Sequence, residues 1–195
     1  MSCVLAPLAA MALSVSGQTV NGHAYVALGL SVKWATCNVG ASSPEDYGDY
    51  YAWGETSTKS SYDEDNSETY GKDIDDISGT DRDVAHVKWG GTWRMPTDDE
   101  IEELLNECMW TWTTRNGVNG YMVTSPKNGY SIFLPATGWR SGIALYHAGG
   151  YGGYWCSTPY EDSACDALIL LFNNGYHLTD RDYRHDGFPV RPVSE

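Results

Sequence analysis

Basic residues are scarce in this chain. Its 195 residues include 12 Lys and Arg against 26 Asp and Glu, which gives a formal net charge of −14. Nucleic-acid binding draws most of its affinity from Lys and Arg contacts to phosphates. The shortage therefore excludes nucleic acid as an expected partner. The length fits a single compact domain, with or without a leader.

Long apolar runs are also lacking. Residues 2–16 are apolar and uncharged, but a stretch of that length is too short to span a bilayer, so no membrane span is expected. Small residues at 14–17 suit a signal peptidase, although the usual basic region before the apolar segment is missing. We expect residues 1–17 to be a truncated signal peptide and residues 18–195 to be the domain of an exported protein. A buried N-terminal helix is the alternative for the first segment.

Cysteine is limited to five residues, and Cys3 would be removed with the leader. The other four, Cys37, Cys108, Cys156 and Cys165, allow three pairings, and spacing alone does not choose between them. Cys156 and Cys165 are near enough in sequence to suggest a pair. We interpret Cys37 and Cys108 as buried free thiols, because free cysteine packs as a small apolar side chain.

Metal-ligand spacings are absent or incomplete. The late histidines and cysteines match no zinc pattern, so no metal site is expected there. Half of the 26 acidic residues lie between Glu45 and Asp83, which we interpret as a solvated acidic loop. A structural calcium ion bound by residues 63–66 or 73–76 is the alternative, although neither segment has the full spacing of a calcium loop. No other cofactor is expected.

Regular periodicity is weak before residue 92. Val20 to Asn38 alternates weakly between apolar and polar residues, which predicts two short strands. Residues 42–91 are rich in Gly, Ser, Asp and Tyr, and we expect a loop there.

One helix has clear signals in the sequence. Thr97 and Glu100 are spaced as a capping box, and acidic residues occupy the positive end of the helix dipole. Apolar residues then recur with helical spacing at Ile101, Leu104, Leu105 and Cys108. The pattern predicts an amphipathic helix that ends near Met109.

Short segments separated by glycines follow this helix, and their composition favours strands. They cover residues 110–114, 120–125, 131–134, 154–157, 167–172 and 188–193. The chain also has eight Trp, 14 Tyr and 21 Gly, which indicates an aromatic core joined by tight turns. We therefore expect an α+β, loop-rich domain with small antiparallel sheets and one or two helices.

Several motifs together resemble the formylglycine-generating-enzyme branch of the C-type-lectin fold. The main one is Trp93-Arg94-Met95-Pro96-Thr97 followed by the amphipathic helix. Further matches are Leu28-Gly29-Leu30 with Lys33-Trp34-Ala35, Tyr51-Ala52-Trp53-Gly54-Glu55, Leu134-Pro135-Ala136-Thr137-Gly138, Tyr154-Trp155, and Gly187-Phe188 with Val190-Arg191-Pro192-Val193. Similar chains are abundant as surface proteins of gut Bacteroidetes. The chain most resembles the variable proteins of diversity-generating retroelements, and the resemblance implies paired N- and C-terminal strands.

The resemblance also implies a variable C-terminal region, about residues 140–187, that displays ligand-contacting side chains. In such proteins adenines are randomised, and Lys, Gln and Met are not reached from asparagine-type codons. No Lys, Gln or Met follows Lys127, although ten of these residues precede it. The predicted ligand-binding residues are Ile143, Tyr146, His147, Tyr151, Cys156, Asp166, Leu168, Ile169, Leu171, Tyr176, His177, Leu178, Asp182, Tyr183, His185 and Asp186.

The resemblance implies that some residues of this region form a rigid frame and that others contact the ligand. Trp139, Trp155, Phe172, Phe188 and Arg191 are assigned to a rigid frame. Most of the predicted polar, aromatic and leucine positions are expected to be largely exposed and to cluster on one surface. A fixed backbone tolerates many side chains at such positions, and tyrosines would supply most of the binding energy.

The predicted function is non-enzymatic binding of an unknown protein or surface ligand, at the cell surface, in secreted form or on a phage particle. A structural or adhesive surface protein without a selected ligand site is the alternative. A formylglycine-generating-type oxidase is disfavoured because no matching motif surrounds Cys156 or Cys165. The sequence motifs for calcium-dependent sugar binding are also missing. Trp139 and Trp155 are expected to pack in the core instead of stacking on sugars.

Overall fold

The computed structural model describes residues 18–195, so the predicted signal peptide at residues 1–17 lies outside the described residues. Two α-helices and thirteen strands are found in the described part. They are β1 (Thr19–Val20), β2 (His23–Val26), β3 (Lys33–Ala35), α1 (Val84–Trp89), β4 (Trp93–Arg94), α2 (Asp98–Glu107), β5 (Met109–Arg115), β6 (Val118–Thr124), β7 (Ser131–Pro135), β8 (Trp139–Ser141), β9 (Ala144–Tyr146), β10 (Tyr151–Pro159), β11 (Asp166–Asn173), β12 (Tyr176–Tyr183) and β13 (Val193–Ser194).

The strands form four small sheets, and all paired strands are antiparallel. The largest has the order β1-β2-β3-β13-β4, and Val193 lies opposite both Trp34 and Arg94. The expected pairing of N- and C-terminal strands is therefore confirmed. The other sheets are β5-β6-β7, β10-β11-β12 and the hairpin β8-β9. The fold is α+β and loop-rich, as the sequence predicts.

Helix α2 begins where its capping signal places it. The Thr97 hydroxyl accepts the Glu100 amide, and the Glu100 carboxylate accepts the Thr97 amide. Ile101 and Leu104 are buried on its inner face. The helix ends at Glu107, before the predicted Met109, because Cys108 is extended and Met109 already pairs with Thr124 in the next sheet.

Three predicted segments differ from the structure. The loop predicted at 42–91 contains helix α1, whose N-terminus is capped by the buried Asp83 carboxylate accepting the amides of Ala85 and His86. Residues 188–193 form little strand, since only Val193 belongs to β13. Residues 176–183 form the regular strand β12, which the sequence prediction missed because exposed and half-buried residues alternate there without an apolar pattern.

The core is largely aromatic and divides into two main clusters. One contains Trp34, Tyr154 and Phe172 and packs against α2. The other contains Trp53, Trp155, Ile169, Phe188 and Val190 and lies on the other face of the β10-β11-β12 sheet. That sheet is therefore covered on both sides over β10 and β11.

The four cysteines within residues 18–195 are free thiols. Cys156 and Cys165 are therefore not paired. Cys37 and Cys108 are free as predicted, but both are half-buried, not fully buried. Burial raises the pKa of the Cys108 thiol to about 11, so the thiol is the stable form at neutral pH.

Candidate functional site

Four of the five predicted frame residues are buried and joined to earlier parts of the chain, whereas Trp139, expected in the core, is half-buried. The Trp155 indole donates to the Tyr51 carbonyl oxygen at 2.8 Å, and the Trp53 indole donates to the Cys156 carbonyl oxygen at 3.0 Å. Gly153 faces the ring of Phe188 so closely that a Cβ atom would overlap it. These contacts fix the path of β10.

Arg191 is a second anchor of this frame. Its guanidinium is almost fully buried and donates to Asn38 Oδ1 and to the carbonyl oxygens of Ala35, Thr36 and Phe133. A buried guanidinium is stable only when its donors are satisfied. The residue thus connects the C-terminal run to β3, the following loop and β7, and it is structural.

The hairpin β8-β9 presents aromatic side chains from this frame. Half-buried Trp139 stacks on the buried Phe188 at 6.3 Å between ring centroids. His147 and Tyr146 stack against Trp139 at 4.9 and 6.4 Å, and both are exposed. Tyr151 meets His147 edge to face at 5.3 Å. Ile143, at the hairpin turn, is 82% exposed.

Strand β12 continues this surface. In the register of the sheet, Tyr151 and Tyr176 both lie opposite Asn173, and Leu178 lies opposite Leu171. Side chains two residues apart share one face of a strand, so Tyr176, Leu178, Asp180 and Asp182 point to one side. Burial, followed by the charge of the Tyr151 phenol, raises the pKa of Tyr176.

We call this surface the hairpin–β12 face. Its side chains are aromatic, apolar or acidic and come from the hairpin β8-β9 and the residue after it, the start of β10, the central strand β11 and the outer strand β12. It is formed by Ile143, Tyr146, His147, Tyr151, Leu171, Tyr176, Leu178, Asp180 and Asp182.

The other side of β12 holds a different part of the predicted set. His177 stacks on Trp110 at 4.7 Å, and Thr179 donates to Glu102 of α2 at 2.6 Å. Tyr183 stacks on His185 at 5.3 Å, and Tyr70 contacts both rings. Leu168 is half-buried and packs against the first core cluster. The predicted residues therefore do not share a single surface.

Four predicted contact residues, Cys156, Asp166, Ile169 and Asp186, are buried, and the exposure expected for Asp166 and Asp186 is therefore wrong. Cys156 is fully buried beside the Leu168 carbonyl oxygen, and Ile169 packs in the second core cluster. Asp166 is 4% exposed because it forms an ion pair with Arg181 at 2.7 Å. Asp186 is 5% exposed in the turn after β12, where its amide donates to the Tyr183 carbonyl oxygen.

Asp182 and Asp186 form a carboxylate pair at one end of the face. Burial, followed by repulsion and hydrogen bonding with Asp186, raises the pKa of Asp182 to about 7. Burial also raises the pKa of Asp186, although Ser141 of β8 hydrogen-bonds to its carboxylate. One oxygen of Asp186, Oδ1, has no hydrogen-bond partner. Burial of the two neighbouring carboxyl groups therefore favours the protonated form of the pair.

Sequence reasoning missed several residues of this region. Asp180 is exposed on the face, Arg181 lies on the opposite side of β12, and Tyr70 of the long acidic loop contacts Tyr183 and His185 on that opposite side. No periodic signal was available for the first two, because apolar and polar residues do not alternate regularly in residues 176–183. No local signal places Tyr70 there.

The described residues were also searched for a metal site and for a membrane-spanning helix. Within residues 18–195, no cluster of three or more His, Cys, Asp or Glu side chains is arranged to hold a metal ion. In the same part of the chain, no helix combines the length and apolar character needed to cross a membrane.

Comparison with known proteins gives no match. No family model, no curated protein and no solved structure matches the chain.

Proposed function

We propose that this protein is a non-enzymatic ligand-binding protein with a C-type-lectin-like fold, diversified by a retroelement at its C-terminal surface. The observation that carries the proposal is the hairpin–β12 face. There, exposed Tyr146, His147, Tyr176 and Leu178 lie next to a frame in which Trp155, Phe172 and Phe188 are almost fully buried and Trp139 is half-buried. Rigid aromatic side chains on a fixed backbone bind with little loss of conformational entropy.

The lectin-like fold is supported by where the matching motifs meet. The terminal strands pair with each other, and the Trp93-to-Thr97 motif leads from this sheet into α2. Hydrogen bonds also join the Tyr51-to-Trp53 motif to β10. These contacts connect segments that are distant in sequence. These contacts make one frame from the motifs of the resemblance.

The revised contact set is smaller than the sequence predicts. We assign ligand contact to Ile143, Tyr146, His147, Tyr151, Leu171, Tyr176, Leu178, Asp180 and Asp182, and we assign His177, Leu168 and the four buried residues to the frame. We further propose that the protein is exported and acts at a cell surface, in secreted form or on a phage particle. A structural or adhesive role without a selected ligand is the competing function.

Oxidase chemistry is disfavoured by the state of Cys156. Its thiol is fully buried, and burial raises its pKa far above the ordinary value. A reactive cysteine needs the opposite, a partly exposed thiol with a lowered pKa.

A display experiment tests the proposed binding surface. One library randomises Tyr146, His147, Tyr176 and Leu178, and a matched library randomises the exposed residues Met109, Thr111, Thr114 and Arg115 of β5. Both are selected against lysozyme as an arbitrary folded protein. We expect binders from the first library and few or none from the second, because only the first set surrounds a rigid aromatic platform. Equal yields from the two libraries would refute the special role of the hairpin–β12 face.

A further inference from the structure

Strand β12 is the outer strand of the β10-β11-β12 sheet, and one row of its backbone groups points away from that sheet. A turn of two residues joins β11 to β12, so the pair that flanks the turn, Asn173 and Tyr176, exchanges hydrogen bonds. Bonded and non-bonded pairs alternate along an antiparallel ladder. The residues whose amide and carbonyl groups point outward are therefore His177, Thr179, Arg181 and Tyr183.

Only half of this outer edge is protected. The amides of Arg181 and Tyr183 donate to the carboxylates of the aspartates that precede them. Charged side chains on an edge are one way in which proteins prevent pairing with another chain. Within residues 18–195, by contrast, the amide and carbonyl groups of His177 and Thr179 form no hydrogen bond. Residues 176–179 are therefore an open edge that can accept a further strand.

The open edge adjoins exposed apolar side chains. Tyr176 and Leu178 are 40% and 39% exposed, and both belong to the hairpin–β12 face. Unpaired backbone groups on an exposed edge are a template for pairing with another chain. In that binding mode main-chain hydrogen bonds supply affinity, and alternate side chains supply specificity. An added strand would satisfy the backbone groups of the open edge and extend the face at the same time.

The charge of the chain argues against a second copy as the added strand. Each copy would bring a net charge of −14, and antiparallel pairing of two β12 edges would place Asp180 and Asp182 of both copies on one face. Like charges on neighbouring strands destabilise a sheet. Within residues 18–195 no Lys or Arg forms an ion pair with either aspartate, so nothing in the described part of the chain offsets this repulsion. The charge therefore favours a different polypeptide without acidic side chains at these positions.

We propose that an extended segment of the ligand, a different polypeptide, pairs with β12 as an added antiparallel strand bonded to the backbone groups of His177 and Thr179. The inference rests on the proposed binding function and names the form in which the ligand is bound. All paired strands of this protein are antiparallel, and antiparallel pairing is slightly more stable per residue than parallel pairing. The added segment carries apolar side chains against Tyr176 and Leu178.

Nuclear magnetic resonance with a short extended peptide tests the inference. The probe is acetyl-Lys-Thr-Lys-Thr-Val-Thr-Val-amide, added to the ¹⁵N-labelled protein. When it pairs antiparallel to β12, its valines lie against Tyr176 and Leu178, and its threonine amides face His177 and Thr179. We expect the amide resonances of residues 177–183 to shift. We also expect the amides of His177 and Thr179 to exchange more slowly with solvent.

Two N-methylated peptides separate backbone pairing from attraction of charge. The first carries methyl groups on the threonine amides, which would face β12. The second carries the same number of methyl groups on lysine and valine amides, which would point away from β12. Both keep the side chains and charge of the probe. We expect the first to bind at least about tenfold more weakly than the second, because it cannot donate to the carbonyl oxygens of the open edge. Equal affinities of the two peptides would overturn the inference.

The place of the shifts is a further check. Strand β5 is the outer strand of the β5-β6-β7 sheet and serves as an internal control. Shifts confined to residues 109–115 or to the acidic loop at 45–83 would overturn the inference, as would an absence of shifts. Slow exchange at His177 and Thr179 that needs no peptide and increases with protein concentration would identify a second copy as the added strand, and would also overturn it.

The two proposals can fail separately. If the display library yields binders but the probe peptide does not pair with β12, strand addition is wrong and the binding surface stands. If the peptide pairs with β12 but the display libraries perform equally, the open edge stands as a binding site and the proposed function falls.

Discussion

At the scale of single residues, the carboxyl groups of Asp182 and Asp186 in the candidate site make the stability of the fold depend on pH. The charged groups around the pair are Asp180 on the same strand, His185 in the following turn and Asp63 in the acidic loop, with Ser141 from β8 as a polar neighbour. For Asp182, the folded state raises the pKa from 3.8 to about 7. The folded protein therefore binds this proton more tightly than the unfolded chain, and stability falls as the pH rises through that window.

The substitution Asp182→Asn should remove this loss of stability. One pKa unit corresponds to about 1.4 kcal/mol, so we expect the variant to be more stable than the wild type by about 1–3 kcal/mol above pH 7. The difference should vanish near pH 4. Urea unfolding across this pH range measures it.

The variant must be compared with wild type at each pH, because His185 changes the stability with pH in the opposite direction to Asp182. Its pKa is lowered, chiefly by burial, so its contribution to stability increases as the pH rises. Asp75→Asn, which removes the same charge from an exposed residue of the acidic loop, is the matched control and should give a curve parallel to wild type. If the Asp182→Asn curve is also parallel to wild type, the assignment of a shared buried charge is wrong.

At the scale of secondary-structure elements, β10 depends on small residues that face large rings. A Cβ atom at Gly152 would overlap the Phe172 ring, which is fully buried. Overpacking a core usually costs about 1–3 kcal/mol. We expect Gly152→Ala to lower the free energy of unfolding by about 2 kcal/mol or more, measured in urea.

Gly175 supplies the control for this change. It lies in the exposed turn between β11 and β12, and a Cβ atom there meets only Asn173 Oδ1, at 3.4 Å. Gly175→Ala should change stability by less than about 1 kcal/mol. Similar losses for both alanine variants would contradict the packing described for β10.

Helix α2 gives a second prediction at this scale. Thr97→Ala removes the side-chain acceptor of the capping box and should cost about 1 kcal/mol of stability, as N-cap substitutions generally do. Thr97→Ser keeps the hydroxyl and should retain most of the stability. Thermal unfolding monitored by circular dichroism distinguishes them, and equal melting temperatures for the alanine variant and wild type would exclude the capping contribution.

The two elements also show what the sequence could predict. The start of α2 follows from Thr97 and Glu100 because capping is local in the chain. Strand β12 could not be predicted in the same way, since its inner side is covered by Trp110 and Glu102, and those contacts depend on the tertiary fold. The burial of Asp166 likewise depends on tertiary contacts, because its neighbour Arg181 lies on the paired strand.

At the scale of the whole molecule, the proposed function requires a constant frame and the hairpin–β12 face, whose side chains vary. The frame was largely predictable, because Trp155, Phe188 and Arg191 belong to the quoted motifs, Phe172 lies in a predicted strand, and all four are buried. The location of the binding surface stays a prediction, and the sequence did not identify which of its residues are exposed. Which residues of 140–187 point outwards depends on the register of β12 and on the hairpin β8-β9, which the irregular side chains do not encode.

The central claim is that natural variation is confined to this surface, and sequencing many natural alleles of the gene tests it most directly. The account predicts that amino-acid changes concentrate at Tyr146, His147, Tyr176 and Leu178, while Trp155, Phe172, Phe188 and everything before residue 140 stay constant. A nearby reverse-transcriptase gene with a template repeat should accompany that pattern. Changes spread evenly along the chain, or an unchanging hairpin–β12 face, would contradict the account.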